Sequence, residues 1–141
     1  MSIATFRFMA LVSSCCLILH LTGCGGSSVA THSVEGTVAI DGKPLDVGQI
    51  VFDPISKNIA AAATDIKEGK YLLQASEGEY RVRIMASRKA EGSGPVPGLD
   101  GVTVVETRLG PEFNTESKLT ARVAPQVNSG IHFDVVELPK K

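Results

Sequence analysis

Hydrophobic and polar residues alternate along most of the chain that follows the first 33 residues. Val34, Gly36, Val38 and Ile40 share one face of the first alternating segment, and mainly polar residues take the other face. The clearest alternation covers residues 79–86. A period of two is typical of β-strands that bury one side against a core.

Turn-forming residues separate the alternating segments at intervals of roughly 8–12 residues, which is the spacing of an all-β domain. Residues 60–63 could also begin a helix, but the segment is too short for a stable one, so a strand is favoured. The pattern predicts an antiparallel β-sandwich of about seven strands. The predicted strands are 34–41, 48–53, 59–64, 70–75, 79–86, 102–107, 119–123 and 131–135, of which 59–64 and 102–107 are the weakest.

Residues 87–101 interrupt this pattern with four glycines and two prolines. Such a composition predicts an irregular loop, and a long loop on a compact domain is usually functional or disordered. Both interpretations stay open, as they do for the second irregular segment, 110–118. If residues 87–101 form a partner-binding loop, the candidate contact residues are Arg88, Lys89, Pro95, Pro97 and Asp100.

The first 23 residues have the pattern of an export signal. A start with one positive charge, Arg7, is followed by an apolar run over 8–21 that is too short and too broken to span a membrane. We expect this signal peptide to be helical. An uncleaved anchor and an ordinary secretion signal are the alternatives.

The run ends in Leu21-Thr22-Gly23-Cys24, which resembles the lipobox of bacterial lipoproteins. The resemblance implies cleavage before Cys24, a diacylglycerol thioether on its sulfur and an N-linked acyl chain such as palmitate. Gly25, where retained lipoproteins have Asp, implies the outer membrane. Two or more acyl chains make such an anchor stable.

The predicted organisation is therefore a signal peptide, a tether, one domain and a tail. Cys15 and Cys16 leave with the signal peptide, so the mature domain has no disulfide. The boundaries are 1–23 for the signal peptide, 24–33 for the lipidated cysteine with a flexible tether, 34–137 for the sandwich and 138–141 for the tail.

Several fragments resemble the carboxypeptidase-regulatory-like, or transthyretin-like (prealbumin), domain. They are Val34–Leu45, Thr64–Tyr71 and Glu77–Val82, and Pro111–Leu119 is similar to a stretch of small envelope lipoproteins of this family. The resemblance covers about residues 34–136. It implies a sandwich fold, with Gly36 allowing close packing and with Tyr71 and Tyr80 in the core.

Charge and composition narrow the possible functions. The chain has 14 basic and 15 acidic residues, a net charge of -1, which argues against nucleic-acid binding. It has no tryptophan, so stacking platforms for sugars are poorly supplied. The cluster Arg81, Arg83, Arg88 and Lys89 is interpreted as a solvated strand face in preference to an anion site.

Few residues offer catalytic or metal-binding chemistry. After the signal peptide the histidines are His32, in the tether, and His132, which is predicted to point outward. The C-terminus, Glu-Leu-Pro-Lys-Lys, lacks the Tyr-Arg-Gly-Ser of transthyretin-like hydroxyisourate hydrolases. We therefore predict no catalytic residue, no cofactor and no metal. Turn chemistry is favoured over calcium binding for Asp41, Asp46, Asp53, Asp65 and Asp100.

Together these observations predict a non-enzymatic envelope protein that is anchored in the outer membrane by lipid on Cys24. Its domain would be structural or would bind a protein or a polysaccharide. A small carbohydrate-binding module is the main alternative, and an unrecognised hydrolase is the third hypothesis.

Overall fold

A computed structural model describes residues 29–140 apart from 93, 95, 99–101 and 127. The predicted signal peptide and its helix, the lipidation site Cys24, and the loop residues Pro95 and Asp100 lie outside the described residues.

The described chain is all-β, as predicted. It forms ten strands and one short 3₁₀ turn, Pro111–Phe113, with no α-helix among the described residues. The strands are β1 Thr31–Ile40, β2 Lys43–Pro44, β3 Val47–Pro54, β4 Ala62–Lys67, β5 Lys70–Ser76, β6 Gly78–Met85, β7 Ser87–Lys89, β8 Val105–Thr107, β9 Thr120–Val123 and β10 Asn128–Val135.

Seven strands form one curled sheet in the order β10-β1-β5-β4-β3-β6-β9, with β2 added to β1. All neighbours are antiparallel except β1 and β10, which are parallel. β4 and β5 pair only at Lys67 and Lys70, on either side of the turn at Glu68 and Gly69. The sheet therefore has two halves that are joined by a tight hairpin.

The core lies inside the curl of this sheet. The Phe52 ring, on β3, is 6.2 Å from that of Tyr71 on β5 and 5.7 Å from that of Tyr80 on β6. The alternating residues Val34, Val38 and Ile40 on β1 and Tyr80, Val82 and Ile84 on β6 are buried, whereas Gly36 is partly buried. The largest fully buried side chains are Tyr80, Phe52, Leu45, Ile50, Ile66, Ile84, Val34, Val38, Val82, Val123 and Val135.

Four strands begin three residues from their predicted starts, β1 and β10 earlier and β4 and β8 later. β4 begins at Ala62, three residues after the predicted start, and runs through Lys67, three residues beyond the predicted end, so only Glu68 and Gly69 separate it from β5. β1 begins at Thr31 instead of Val34 and pairs there with Ser76. The last three residues of the predicted tether are therefore part of the sheet, because the end of β5 supplies them with a partner strand.

The prediction of an irregular loop over 87–101 is wrong at its start. Ser87–Lys89 form β7, which pairs with β8. The ladder continues through hydrogen bonds from Ala90 N to the oxygen of Val104 and from Val96 N to the oxygen of Val102, both 3.0 Å. The glycines and prolines all follow residue 91, so they do not interrupt β7. The described residues between 87 and 107 thus form the two paired sides of a hairpin, which we call the arm.

Candidate functional site

Among the described residues, the arm contains three of the predicted partner-binding residues, Arg88, Lys89 and Pro97. Lys89 and Pro97 are exposed. Val102, Val104 and Val105 are exposed apolar residues on the returning side of the arm. Contiguous exposed apolar surface often marks an interaction site, so the arm offers apolar and cationic contacts together.

Arg88 lies at the base of the arm and has ionic partners within the chain. Its Nε donates to Glu106 Oε1 at 2.7 Å, and its Nη1 donates to Glu137 Oε1 at 2.6 Å. Only 15% of its side chain is exposed. Arg88 therefore joins the arm to the C-terminal segment, whereas Lys89 beside it points into solvent.

Arg108 completes this network from the other side. Its Nε donates to Glu137 Oε1 at 2.8 Å and its Nη1 to Asp46 Oδ1 at 2.6 Å. The backbone adds a bridge between Leu109 and Glu137 and a hydrogen bond from Leu138 N to the oxygen of Arg108. These contacts fix the chain after β10 against the base of the arm. We call Asp46, Arg88, Glu106, Arg108 and Glu137 the Glu137 cluster.

Four members of the Glu137 cluster, Asp46, Arg88, Arg108 and Glu137, have pKa values shifted toward their charged forms. Hydrogen bonds from Arg108 and then from Arg88 lower the pKa of Glu137. A hydrogen bond from Arg108 likewise lowers the pKa of Asp46. The pKa of each arginine is raised by its carboxylate partners. All these groups stay ionised at neutral pH and brace the arm.

A cleft of about 480 Å³ separates the arm from the main sheet. It forms because β6 pairs with β3 only as far as Met85 opposite Gln49, and the chain then leaves for the arm. Val47 and Val105 are exposed on its two sides. Asn114 also lines the cleft, and its buried Oδ1 has no hydrogen-bond partner among the described residues.

A second cleft, of about 660 Å³, lies where β4 and β5 diverge. It mixes Glu35 and Asp65 with Lys67 and Lys70, and its apolar contribution includes exposed Leu72. The described residues contain no group of three or more His, Cys, Asp or Glu side chains that could hold a metal ion. This arrangement offers charged side chains of both signs around a mainly apolar lining.

Four of the other residues considered from the sequence, Asp41, Asp46, Asp53 and His132, have defined places in the structure. Asp53 forms a two-point ion pair with Arg83 from the neighbouring strand, and Asp46 belongs to the Glu137 cluster. Asp41 occupies a turn with positive φ. His132 is exposed, as predicted, and a 2.8 Å hydrogen bond joins its Nδ1 to Thr37 Oγ1.

Sequence reasoning missed Arg108, Glu137 and Val47. Arg108 and Glu137 are 29 residues apart, and Arg88 and Glu137 are 49 apart. No local motif marks such pairs. The only sequence signal for Arg108 and Glu137 is that each is a charged residue at the end of an alternating segment.

Comparisons with known proteins identify no relative. No family model, no curated protein and no solved structure matches the chain. Within the part of the chain that the structure describes, there is also no helix long and apolar enough to cross a membrane.

Proposed function

We propose that this protein is a non-enzymatic, lipid-anchored envelope protein whose arm contacts a protein or a polymer. The observation that carries the proposal is the short separation between the lipobox and the domain. Cys24 lies only seven residues before Thr31, where β1 begins. An acyl anchor on Cys24 would hold the folded domain directly above the bilayer.

The position of the arm supports a contact role. Thr31 pairs with Ser76, at the end where β6 begins, and the arm starts beyond Met85, where β6 finishes. The eight residues of β6 separate these two ends by about 25 Å. An anchored chain would therefore present the arm away from the bilayer, where a partner in the envelope can reach it.

The proposal includes the sandwich fold and the likeness to carboxypeptidase-regulatory-like domains. The two halves of the sheet share a single residue pair at the hairpin of β4 and β5. Packing of Phe52 against Tyr71 brings side chains of the two halves together. Both features fit two layers with a common core.

A carbohydrate-binding module is the less favoured function. Such modules usually hold sugars against exposed aromatic rings. Among the described residues, Phe52, Tyr71, Tyr80 and Phe133 are buried, and Phe113 is half-buried against the core. The described surface therefore offers no ring on which a sugar could stack.

Metabolic labelling with palmitate tests the anchor. We expect label on the wild-type chain and on the control variants Cys15→Ala and Cys16→Ala, whose substituted residues lie inside the signal peptide. Cys24→Ala should carry none, and labelling that survives this change would refute the proposal. Fractionation of the membranes tests the location, since Gly25→Asp should move the labelled protein from the outer to the inner membrane.

A further inference from the structure

A short exposed loop, residues 55–58, follows β3. Its sequence is Ile-Ser-Lys-Asn, and all four residues are exposed. Ile55 is 61% exposed, although isoleucine is among the residues most often buried. Lys57 has no ion-pair partner among the described residues.

The loop lies at the end of the domain where the chain enters. Ile55 N donates a 2.9 Å hydrogen bond to the oxygen of Glu79, at the start of β6. β6 begins immediately after the turn that leaves Ser76, and Ser76 is paired with Thr31, the first residue of β1. Ile55 and the first residue of the domain thus belong to the same end.

Packing within the domain explains the isoleucine at residue 59 but not the one at residue 55. Ile59 packs against the core, and a Cβ atom added to Gly78 would lie 2.6 Å from its Cδ1. This contact closes the loop over the turn between β5 and β6. Ile55, four residues earlier, takes no part in the core, so the stability of the domain does not explain its apolar side chain.

We propose that loop 55–58 is the face of the domain that rests on the bilayer, with Ile55 in the interface and Lys57 at the lipid phosphates. This inference depends on the proposed acylation of Cys24. The two side chains suit such a position, because an apolar group enters the acyl boundary and a lysine extends its ammonium group to anionic headgroups.

The length of chain between the anchor and the domain determines which surface can reach the bilayer. Residues 25–30 form the only connection between Cys24 and β1. The seven residue steps from Cys24 to Thr31 cover at most about 25 Å when fully extended, so the first residue of β1 cannot lie farther than that from the anchor. A tether this short gives the entry end a high effective concentration at the lipid surface, so a weak apolar contact suffices to orient the domain.

The charges at this end are of both signs. Exposed Glu77 and Glu79 are accompanied by Lys57 and by Arg122, which lies directly opposite Glu79 in the pairing of β6 with β9, so these four residues carry no net negative charge toward the lipid. Exposed Val29, just before β1, adds a second apolar side chain at the same end. The arm is at the other end, and this orientation leaves it free for a partner.

Single-tryptophan reporters test the orientation, because the chain contains no tryptophan. The full-length acylated protein would be reconstituted in phosphatidylethanolamine and phosphatidylglycerol vesicles with brominated acyl chains, which quench nearby indoles. Ile55→Trp is the reporter, and Val105→Trp on the arm is its matched control, since both positions are 61% exposed. Asn58→Trp gives a second reading that retains Ile55.

We expect at least twofold quenching for Ile55→Trp and Asn58→Trp and none for Val105→Trp. Equal quenching at all three positions, or none at residues 55 and 58, would overturn the orientation. The mass of the purified protein shows whether the chain is acylated, and this distinguishes a failure of the proposed orientation from a failure of the proposed function. An acylated chain without quenching contradicts the orientation alone, whereas a chain without acyl groups contradicts the proposed function as well.

Discussion

The hydroxyl of Tyr71 extends over Gly36, the residue directly opposite it in the pairing of β1 with β5. It donates a 3.1 Å hydrogen bond to the carbonyl oxygen of Ile131, on the far side of β1. β10 has a register irregularity beside this point, between the partners of Val34 and Gly36. The missing side chain of Gly36 therefore allows one tyrosine to link three neighbouring strands.

Gly36→Ala should destabilise the domain strongly. A Cβ atom there would lie 2.6 Å from Tyr71 Oη and would overlap the carbonyl oxygen of Ile131, which belongs to the backbone and cannot rotate away. We expect a loss of about 2–3 kcal/mol in the free energy of unfolding, measured by urea denaturation. Gly94→Ala is the control, because nothing lies within 4 Å of its Cβ position. Equal stability of the two variants would show that β1 moves to accommodate the methyl group.

The two tyrosines of the chain should resist alkaline titration. Burial raises the pKa of Tyr71 and of Tyr80. An unfolded tyrosine ionises near pH 10, so the stability from the protonated rings is complete below that pH and is lost as the pH rises above it. Phenolate absorbance should therefore appear above pH 10 together with the loss of β-sheet circular dichroism. Ionisation of either ring at pH 10 with the fold intact would contradict this prediction.

Tyr71→Phe separates the hydrogen bond from the ring. The ring still packs against Phe52, but the oxygen of Ile131 loses the hydroxyl donor, at a cost of about 0.5–1.5 kcal/mol. Tyr80→Phe removes the corresponding bond to the oxygen of Ser76 and provides the comparison. Urea denaturation of both variants measures the two costs. An unchanged stability of Tyr71→Phe would mean that the link to β10 contributes nothing.

Local patterns in the sequence were sufficient to predict most of the core. Residues such as Val34 and Tyr80 alternate with exposed neighbours, and a period of two indicates which side of a strand is buried. β7, with the sequence Ser-Arg-Lys, has no apolar residue and therefore no such signal. It is a strand because Arg88 lies opposite Glu106 and binds Glu137, and these partners are distant in the sequence.

The Glu137 cluster should make stability depend on pH in the acid range. The pKa of Glu137 and that of Asp46 are lower in the folded chain than their usual values of 4.5 and 3.8. The stability that these carboxylates supply is present above those values and is lost as the pH falls through the lower, folded pKa. Glu137→Gln should reduce the stability at pH 7 by about 1 kcal/mol, since the pairs are partly exposed. It should also flatten the pH dependence below pH 4.5, as measured by urea denaturation from pH 7 to pH 2.

Glu91→Gln is the control for this experiment. Glu91 also forms an ion pair, with Lys140, but more than half of each side chain is exposed. Such pairs contribute little in water, so the variant should retain the stability and the acid dependence of the wild type. If both variants behave alike, the Glu137 cluster does not brace the arm.

Shortening the arm should leave the fold intact while removing the proposed contact. Replacement of residues 92–102 by Asn-Gly removes the end of the arm, including the hydrogen bond from Val96 N to the oxygen of Val102. Glu91 and Thr103 are opposite each other when the register of β7 and β8 is continued, so a two-residue hairpin turn can join them. The core of the sheet is unaffected, so the melting temperature should stay within a few degrees of the wild-type value.

Cross-linking in intact envelopes, with a photoreactive group at Val105, should give an adduct in the wild type and none in the shortened chain. A photoreactive group at Leu72, which is similarly exposed but lies on β5, should give no such adduct in either chain. An adduct that persists after shortening would place the contact outside the end of the arm, on the cleft between Val47 and Val105.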